Sequence, residues 1–368
     1  MNEQKQDRIS LSDFLLFLWQ IHIILERIQV CRICSNGERL SAEMNEIWED
    51  KKMMYLLLIV GFFFLVKGAD VFVDGSSSVA KNLRVPTILI GLTVVAFGTS
   101  CPEAAVSITA SVQEQNDISL GNVIGSNIFN LMIVAGLSAI MQPMKMDAAL
   151  LKRDFPLSIL AAAVLLFLAA DRVLSGTGQN MLSRVDGLIL LGIFVIFLLL
   201  MIRAAMRSRQ EDGEEEEYPI MSMGRSLLYI AVGLAGIVVG GKIVVDSATD
   251  IALAWGMSET LVGLTIVSIG TSLPELVTSV VAAAKKESDI ALGNVVGSNI
   301  FNILLILGAA SAISPLHVEM ESLIDTFVLI LMSLAVFLPA LRFRKLEKRE
   351  GIAMVAAYAV YLAYIILR

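Results

Sequence analysis

The chain has 368 residues, of which 56% are hydrophobic and 17% are charged, and its net charge is −7. This composition, with a mean hydropathy of +0.76, is too apolar for a soluble domain and is typical of a protein that crosses the membrane many times. Six of the acidic residues lie together at 211–217, and nucleic acid is excluded as a partner.

Residues 1–52 differ from the rest of the chain. Their apolar run at 14–24 contains His22, ends at Glu26 and Arg27, and is too short to span a bilayer. Two interpretations remain open: an interfacial amphipathic segment, or translated sequence upstream of a true start at Met53 or Met54. We favour the second.

From Met53 onward, apolar segments of the length that a hydrocarbon core of ~30 Å requires recur along the chain. We predict an all-α membrane protein of ten transmembrane helices. A cytoplasmic acidic linker at 204–223 separates a first five-helix repeat, 53–203, from a second, 224–368. The predicted spans lie near residues 53–80, 86–112, 118–141, 155–171, 184–203, 224–252, 260–284, 290–313, 322–341 and 351–367.

The charges of the loops predict the orientation, since Lys and Arg concentrate on the cytoplasmic side. One set of alternate loops carries 16 basic residues, whereas the other has only Arg172 and Arg184, with Arg368 at the C-terminus. Met53 and the C-terminus are therefore expected outside a cell membrane, and the acidic linker inside.

The two halves contain an internal duplication at a constant offset of 172 residues. Residues 91–103 match residues 263–275 at nine of 13 positions, and residues 117–130 match residues 289–302 at 12 of 14. Because five helices is an odd number, the second copy must enter the membrane upside down, which predicts inverted repeats.

The duplicated segments place polar residues inside apolar runs. Glu103 and Glu275 are the most informative, because neither block contains a Lys or Arg to pair with them. A carboxylate near the bilayer centre costs about 2.5–3.5 kcal/mol on insertion scales, so such residues usually mark an ion path. The other repeated polar residues are Thr99, Ser100, Asn122, Ser126 and Asn130, and Thr271, Ser272, Asn294, Ser298 and Asn302.

Two further features predict how these residues are presented. Pro102 and Pro274 should kink their helices and free backbone carbonyls. The Asn and Ser residues, spaced four apart, form one stripe per helix, beside GxxxG glycines that allow close helix approach. Such a set of oxygen atoms suits a hard cation such as Ca²⁺. Without a cation the two carboxylates would repel each other, so protons are plausible competitors.

At these residues the chain resembles the sodium/calcium exchanger branch of the calcium/cation antiporter superfamily. Its two inverted repeats bear G-T-S-x-P-E and G-N-x-x-G-S-N-I, which stand here at 98–103 with 121–128, and at 270–275 with 293–300. The resemblance covers about 53–368 and implies exchange of Na⁺ for Ca²⁺ by alternating access, with the first and sixth helices sliding across the remaining bundle.

The resemblance also implies a ligand set. Glu103 and Glu275 would bind Ca²⁺ together with backbone carbonyls of Thr99 and Thr271. Asn302 stands where some members carry Asp, which disfavours potassium coupling, leaves a site charge of −2, and makes exchange of three Na⁺ for one Ca²⁺ electrogenic. The Na⁺ sites would use Ser100, Ser126, Ser272 and Ser298 with carbonyls near Ala96 and Ser268, and Asn130 and Asn302 beside the centre.

Other functions stay open at this point. A cation/proton exchanger, such as a Ca²⁺/H⁺ exchanger, would use the same fold, and a passive cation channel would conduct without coupling. An enzyme is not expected, because an intramembrane protease using Ser100 or Cys101 would lack a His in the repeats to act as base. We expect no cofactor beyond the transported ions, lipid as surroundings, and a functional monomer.

Overall fold

A computed structural model describes the backbone of residues 39–171, 179–211, 221–257 and 268–367, and their side chains except at 39–51, 208–211 and 268. The N-terminal extension thus lies largely outside the described residues, as does most of the acidic linker. Residues 54–368 form one compact unit, separate from residues 1–53.

The described chain is almost entirely helical, as predicted. Two pairs of two-residue strands, which the sequence did not predict, join its loops. The helices are α1 (Arg39–Leu83), α2 (Thr87–Thr99), α3 (Cys101–Val112), α4 (Asn116–Met141), α5 (150–169), α6 (Arg184–Glu211), α7 (Met223–Ala254), α8 (Ser268–Thr271), α9 (Leu273–Ala284), α10 (Ser288–Ile313), α11 (Met320–Phe343) and α12 (Lys348–Leu367). The strands are β1 (Met144–Lys145), β2 (Met181–Leu182), β3 (Leu316–His317) and β4 (Lys345–Leu346).

Seven of the described helices are long and apolar enough to cross a membrane, and the bent pair of α2 and α3 would make an eighth. The other two predicted spans have helices at their positions, but these are shorter. In the span near 155–171 the α-helical part is the 15-residue Phe155–Ala169. In the span near 260–284 the described helices are α8 and the 12-residue α9, and residues 258–267 lie outside the described chain.

Two helices lie at the centre of the bundle. In the most apolar part of α4, 78% of residues are buried, and in α10 the figure is 94%, whereas the other long apolar helices range from 17% to 33%. These two helices carry the predicted Asn and Ser stripes. The polar stripes therefore face protein rather than the surface of the bundle.

The strand pairs hold distant loops together at the ends of the bundle. β1 pairs antiparallel with β4, and β2 pairs antiparallel with β3. The loops after α4 and α11 consequently lie next to each other. The loops before α6 and after α10 form a second such pair. Each pair joins two loops that the charge pattern assigns to the same side.

The long helices α1 and α7 pack with their backbones in contact. A Cβ atom added to Gly233 would lie 2.5 Å from the backbone nitrogen of Phe72, and one added to Gly240 would lie 2.5 Å from that of Leu65. Gly68 is equally confined, because its Cβ would lie 2.7 Å from the nitrogen of Ile237. Small residues at these positions allow the close approach.

An ion-pair network ties α1 to the loop between α9 and α10. The Nζ atom of Lys285 lies 2.7 Å from Oδ1 of Asp70 and 2.6 Å from Oδ1 of Asp74. Burial lowers the pKa of the Lys285 ammonium, but hydrogen bonds and attraction from the two carboxylates outweigh it, so the pKa is raised overall. Nearby, the Ser77 hydroxyl donates to Oε1 of Glu287 over 2.9 Å.

The glycine contact between α1 and α7 predicts an effect on stability. Gly233→Ala would press a methyl group against the Phe72 backbone, and such overpacking costs about 1–3 kcal/mol. The higher helix propensity of Ala offsets only about 1 kcal/mol of this loss of stability. We therefore expect a lower unfolding temperature for the detergent-solubilised variant, measured by intrinsic fluorescence.

The matched control is Gly192→Ala, at an exposed position in α6. This change gains helix propensity without meeting a described neighbour within 4 Å, so its unfolding temperature should stay the same or rise. Equal unfolding temperatures for the two variants would contradict the packing interpretation.

Candidate functional site

The site is built on two helix breaks, one in each repeat. Ser100 separates α2 from α3 with φ −82° and ψ 6°, and Ser272 separates α8 from α9 with φ −90° and ψ 4°. Pro102 and Pro274 lie in the first turn of the following helices, where proline is tolerated. The bend between α2 and α3 is 50°, so the predicted kink is confirmed there.

The two glutamates sit just after these breaks, in the first turns of α3 and α9. Both side chains are 0% exposed. Neither glutamate forms an ion pair with any residue that the structure describes. The partial positive charge at a helix N-terminus favours a carboxylate, but it supplies less than a full countercharge.

The serine of each break binds the glutamate of the other repeat. The Ser272 hydroxyl donates to Oε1 of Glu103 over 3.1 Å, and the Ser100 hydroxyl donates to Oε1 of Glu275 over 2.9 Å. The two carboxylates also lie near enough to repel each other electrostatically. The predicted convergence of the two repeats on one pair of acids is therefore found in the structure.

The asparagines of each stripe also form hydrogen bonds with the broken helix of the opposite repeat. Thr99 donates its hydroxyl to Oδ1 of Asn294 over 3.0 Å, and Thr271 donates to Oδ1 of Asn122 over 3.2 Å. Each asparagine then uses its Nδ2 within its own repeat. Asn122 donates to the carbonyl of Glu103, and Asn294 donates to the carbonyl of Glu275.

Two members of this network, Ser107 and Ser279, are absent from the sequence-based prediction. Their hydroxyls accept from Nδ2 of Asn122 over 2.8 Å and from Nδ2 of Asn294 over 2.9 Å. A signal was present, because both serines lie four residues after a site glutamate and are related by the same offset of 172 residues. Ser107 and Ser279 therefore fix the amide groups of Asn122 and Asn294, whose oxygens accept hydrogen bonds from the broken helices.

Of the remaining predicted residues, Ser126 contacts the centre directly. Its hydroxyl oxygen lies 2.9 Å from that of Ser272, and Ser126 is the donor because the single Ser272 proton is bound to Glu103. Ser298, Asn130 and Asn302 are fully buried. The Ala96 carbonyl accepts the backbone N–H of Ser100 over 3.0 Å, so it takes part in helix hydrogen bonding. Ser268 begins α8, and its side chain is outside the described residues.

Several buried oxygens of the site have no hydrogen-bond partner among the described residues. They are Oε2 of Glu103, Oε2 of Glu275, the hydroxyl oxygen of Ser298, and the side-chain oxygens of Asn130 and Asn302. Leaving a buried acceptor unsatisfied costs about 1–3 kcal/mol, and more for a charged group. Carboxylate, hydroxyl and amide oxygens are the ligands that hard cations prefer, so the site can hold such a cation.

Soft-metal chemistry is not indicated. Within the described ranges, no group of three or more His, Cys, Asp and Glu residues is placed to hold a metal. Among the described residues, the side-chain oxygens bonded to the two carboxylates are neutral hydroxyls.

A cavity of about 380 Å³ reaches the site from the surface. Asn122, Ser126 and Thr271 line its inner part, and Asp117 and Asp325 line it as well. Asp117 is exposed, so the cavity links solvent-accessible acidic residues with site residues.

The two GxxxG pairs have different surroundings. Gly121 and Gly125 line the cavity, whereas Gly293 and Gly297 press on α2. A Cβ atom on Gly297 would lie 2.7 Å from the carbonyl oxygen of Leu92. Close helix approach, predicted for both pairs, is thus confirmed for the second.

Comparisons with known proteins agree with this geometry. The putative antiporter CaxA of Alkalimonas amylolytica is 38% identical over 315 residues, covering 83% of this chain and 96% of that protein. The sodium/calcium exchanger MaX1 of Methanosarcina acetivorans is 35% identical over 339 residues, covering 84% of this chain and 97% of that protein.

A solved structure shows the same fold. The sodium-calcium exchanger NCX_Mj, soaked with Na⁺ and Sr²⁺, matches with a TM-score of 0.73 and 35% identity over 84% of this chain and 97% of that chain. The family model described as sodium/calcium exchanger protein matches residues 53–203 and 225–367, which are the two halves on either side of the acidic linker. The chain belongs to the sodium/calcium exchanger family, and it is a transporter rather than an enzyme.

Proposed function

We propose that this protein is a secondary antiporter that exchanges Na⁺ for Ca²⁺ across the membrane by alternating access. The observation that carries the proposal is the pair of buried glutamates, each bound by a serine of the opposite repeat and without a basic partner among the described residues. Two negative charges in a buried site need a cation. A transported cation supplies that charge without fixing it permanently.

The proposed Ca²⁺ ligands are Glu103 and Glu275, with backbone carbonyls of Thr99 and Thr271. The proposed Na⁺ sites overlap them, using Ser100, Ser126, Ser272 and Ser298 with carbonyls near Ala96 and Ser268. Asn130 and Asn302 lie beside the centre. Overlap makes the two ions compete, because both need the same oxygens, and competition at one site is what couples their opposite movements.

The proposed architecture is ten transmembrane helices in two inverted repeats. Its support is the crossed hydrogen bonding, which relates the two halves by the same 172-residue offset as the sequence. Alternating access would come from α1 and α7 sliding across the remaining bundle. The glycine contact makes those two helices a close pair, as a unit that moves together requires.

The proposed setting is a cell membrane, with Met53 and the C-terminus outside, the 204–223 linker in the cytoplasm, and one chain as the functional unit. Ca²⁺ and Na⁺ are cargo, and no resident cofactor is proposed. In this orientation the cavity beside Asp117 opens to the outside, because Asp117 begins the helix that runs inward from an external loop.

A Ca²⁺/H⁺ exchanger is the second candidate. The observation that favours it is the complete burial of both carboxyl groups without a basic partner among the described residues, since a buried acid without a cation can be neutralised by a proton. Sodium is preferred because the neutral oxygens around the acids can bind a metal ion but do not titrate.

The first prediction concerns the glutamates. Removing one charge from a buried interacting set typically costs about 3 kcal/mol or more, which is roughly 100-fold in affinity. Glu103→Gln and Glu275→Gln should each abolish ⁴⁵Ca²⁺ uptake into sodium-loaded proteoliposomes.

Glu114→Gln, the same chemical change in the exposed loop after α3, should leave uptake near the wild-type rate. Uptake that persists in both site variants would overturn the assignment of the glutamates.

The second prediction separates the two coupling ions. Proteoliposomes loaded with Na⁺ and diluted into Na⁺-free medium at equal pH should accumulate Ca²⁺. Vesicles with an outward-directed proton gradient and no Na⁺ should not, because the proposed coupling ion is Na⁺. Uptake driven by the proton gradient alone would favour the Ca²⁺/H⁺ exchanger, and passive uptake without either gradient would favour a channel.

The third prediction concerns orientation. In an active variant with its native cysteines replaced by Ser, single cysteines are introduced as His317→Cys in β3 and Lys345→Cys in β4, both at exposed positions. A membrane-impermeant maleimide added to intact cells should label the first but not the second, which should react only after permeabilisation. Labelling of both from outside would contradict the proposed arrangement.

A further inference from the structure

The residue after each site serine crosslinks the two central helices. Asn127 in α4 donates Nδ2 to the Asn299 carbonyl over 3.2 Å, and Asn299 in α10 donates Nδ2 to the Asn127 carbonyl over 3.1 Å. Both side chains are buried, at 0% and 4% exposure. The bonds are reciprocal and follow the symmetry of the repeats.

The side-chain oxygens, Oδ1, of Asn127 and Asn299 do not follow this symmetry. Oδ1 of Asn127 accepts from Nδ2 of Asn302 over 3.0 Å. The equivalent bond would run from Nδ2 of Asn130 to Oδ1 of Asn299, but both atoms lack a hydrogen-bond partner among the residues that the structure describes. Asn302 is therefore hydrogen-bonded to the opposite central helix through its amide nitrogen. Asn130 has no such bond among the described residues.

The bonded half has only one consistent orientation. A backbone carbonyl can only accept, so Asn127 must turn Nδ2 toward Asn299 and Oδ1 toward Asn302. Asn302 must then present Nδ2 to Asn127. Its own Oδ1 is left as a buried acceptor without a partner in the described chain, on the helix face that also carries Asn294 and Ser298.

We propose that Asn127 is a positioning residue, which fixes the Asn302 amide so that its oxygen is presented to the transported cation. This inference rests on the proposed function. It also explains why a neutral amide suits position 302. A carboxylate there would set an acceptor against the Asn127 oxygen, whereas an amide satisfies that oxygen and still offers one of its own.

Asn299 provides the matched control. Asn127→Ala and Asn299→Ala each remove one of the two reciprocal bonds between α4 and α10, but only Asn127→Ala removes the acceptor that orients Asn302. We expect Asn127→Ala to raise the KM for Ca²⁺ uptake by about three- to tenfold, the factor that one neutral hydrogen bond contributes. Asn299→Ala should raise it by less than about twofold.

A double-mutant cycle with Asn302→Ala tests whether Asn127 acts through Asn302. In that background, Asn127→Ala should cause no further rise in KM, while any effect of Asn299→Ala should remain. A purely structural role for Asn127 would instead give the same effect in both backgrounds. Size-exclusion profiles check folding, and the pair Asn127→Ser and Asn299→Ser replaces the Ala pair if either Ala variant fails to fold.

The outcomes separate the two proposals. If wild-type protein shows no sodium-driven Ca²⁺ uptake, the proposed function is wrong. If wild-type protein is active but Asn127→Ala and Asn299→Ala raise KM equally, or the effect of Asn127→Ala persists alongside Asn302→Ala, the positioning inference is wrong.

Discussion

The structure depends on two carboxyl groups buried together, with no basic side chain beside them among the described residues. A basic side chain can neutralise a pair of acids permanently, and it does so elsewhere in this protein, where Lys285 forms ion pairs with Asp70 and Asp74. At Glu103 and Glu275 the carboxylates are instead bonded by serine hydroxyls of the opposite repeat. A site built in this way is most stable with a cation bound, yet it lets that cation leave when another replaces it.

The crossed hydrogen bonds explain why one half of the molecule cannot form the site. Each glutamate is bound by a serine from the opposite repeat, and each broken helix is received by an asparagine from the opposite repeat. Because the members of these pairs come from different halves, the two glutamates are held only when both halves are in place. In the proposed mechanism the site stays assembled, and the sliding of α1 and α7 across it changes the side from which it is reached.

Much of this could be predicted from the sequence, because the duplication shows which polar residues recur inside apolar runs. Glu103, Glu275 and the two prolines were found in this way. The hydrogen-bond partners of these residues were harder to predict. Hydrogen bonds between helices depend on how each helix is rotated and shifted along its axis, and one sequence does not specify this. Thr99 illustrates this: the resemblance implies a role for its carbonyl, whereas the structure shows its hydroxyl bound to Asn294.

The limits of the span prediction have a related cause. Hydropathy identifies segments of sufficient length, but it does not show where a helix is interrupted, so the segment near 86–112 contains two helices. It also does not show a change of winding, and α5 begins with a π-helical turn before its α-helical part. The π-helical turns that begin at Asn130 and Phe301 were also missed. They lie at or beside the last asparagine of each stripe, so local winding sets where Asn130 and Asn302 point.

Amides rather than carboxylates surround the two acids, and the reason is one of charge as well as geometry. An asparagine carries a donor and an acceptor, so it can bond a neighbouring helix with one end and keep an oxygen for a cation at the other. Asn302 shows this arrangement, since Asn127 takes its Nδ2 and its Oδ1 is left unpaired among the described residues. A carboxylate would supply oxygens too, but it would add a third buried charge beside the acidic pair. Neutral amides keep the charge of that pair at −2, which one Ca²⁺ balances.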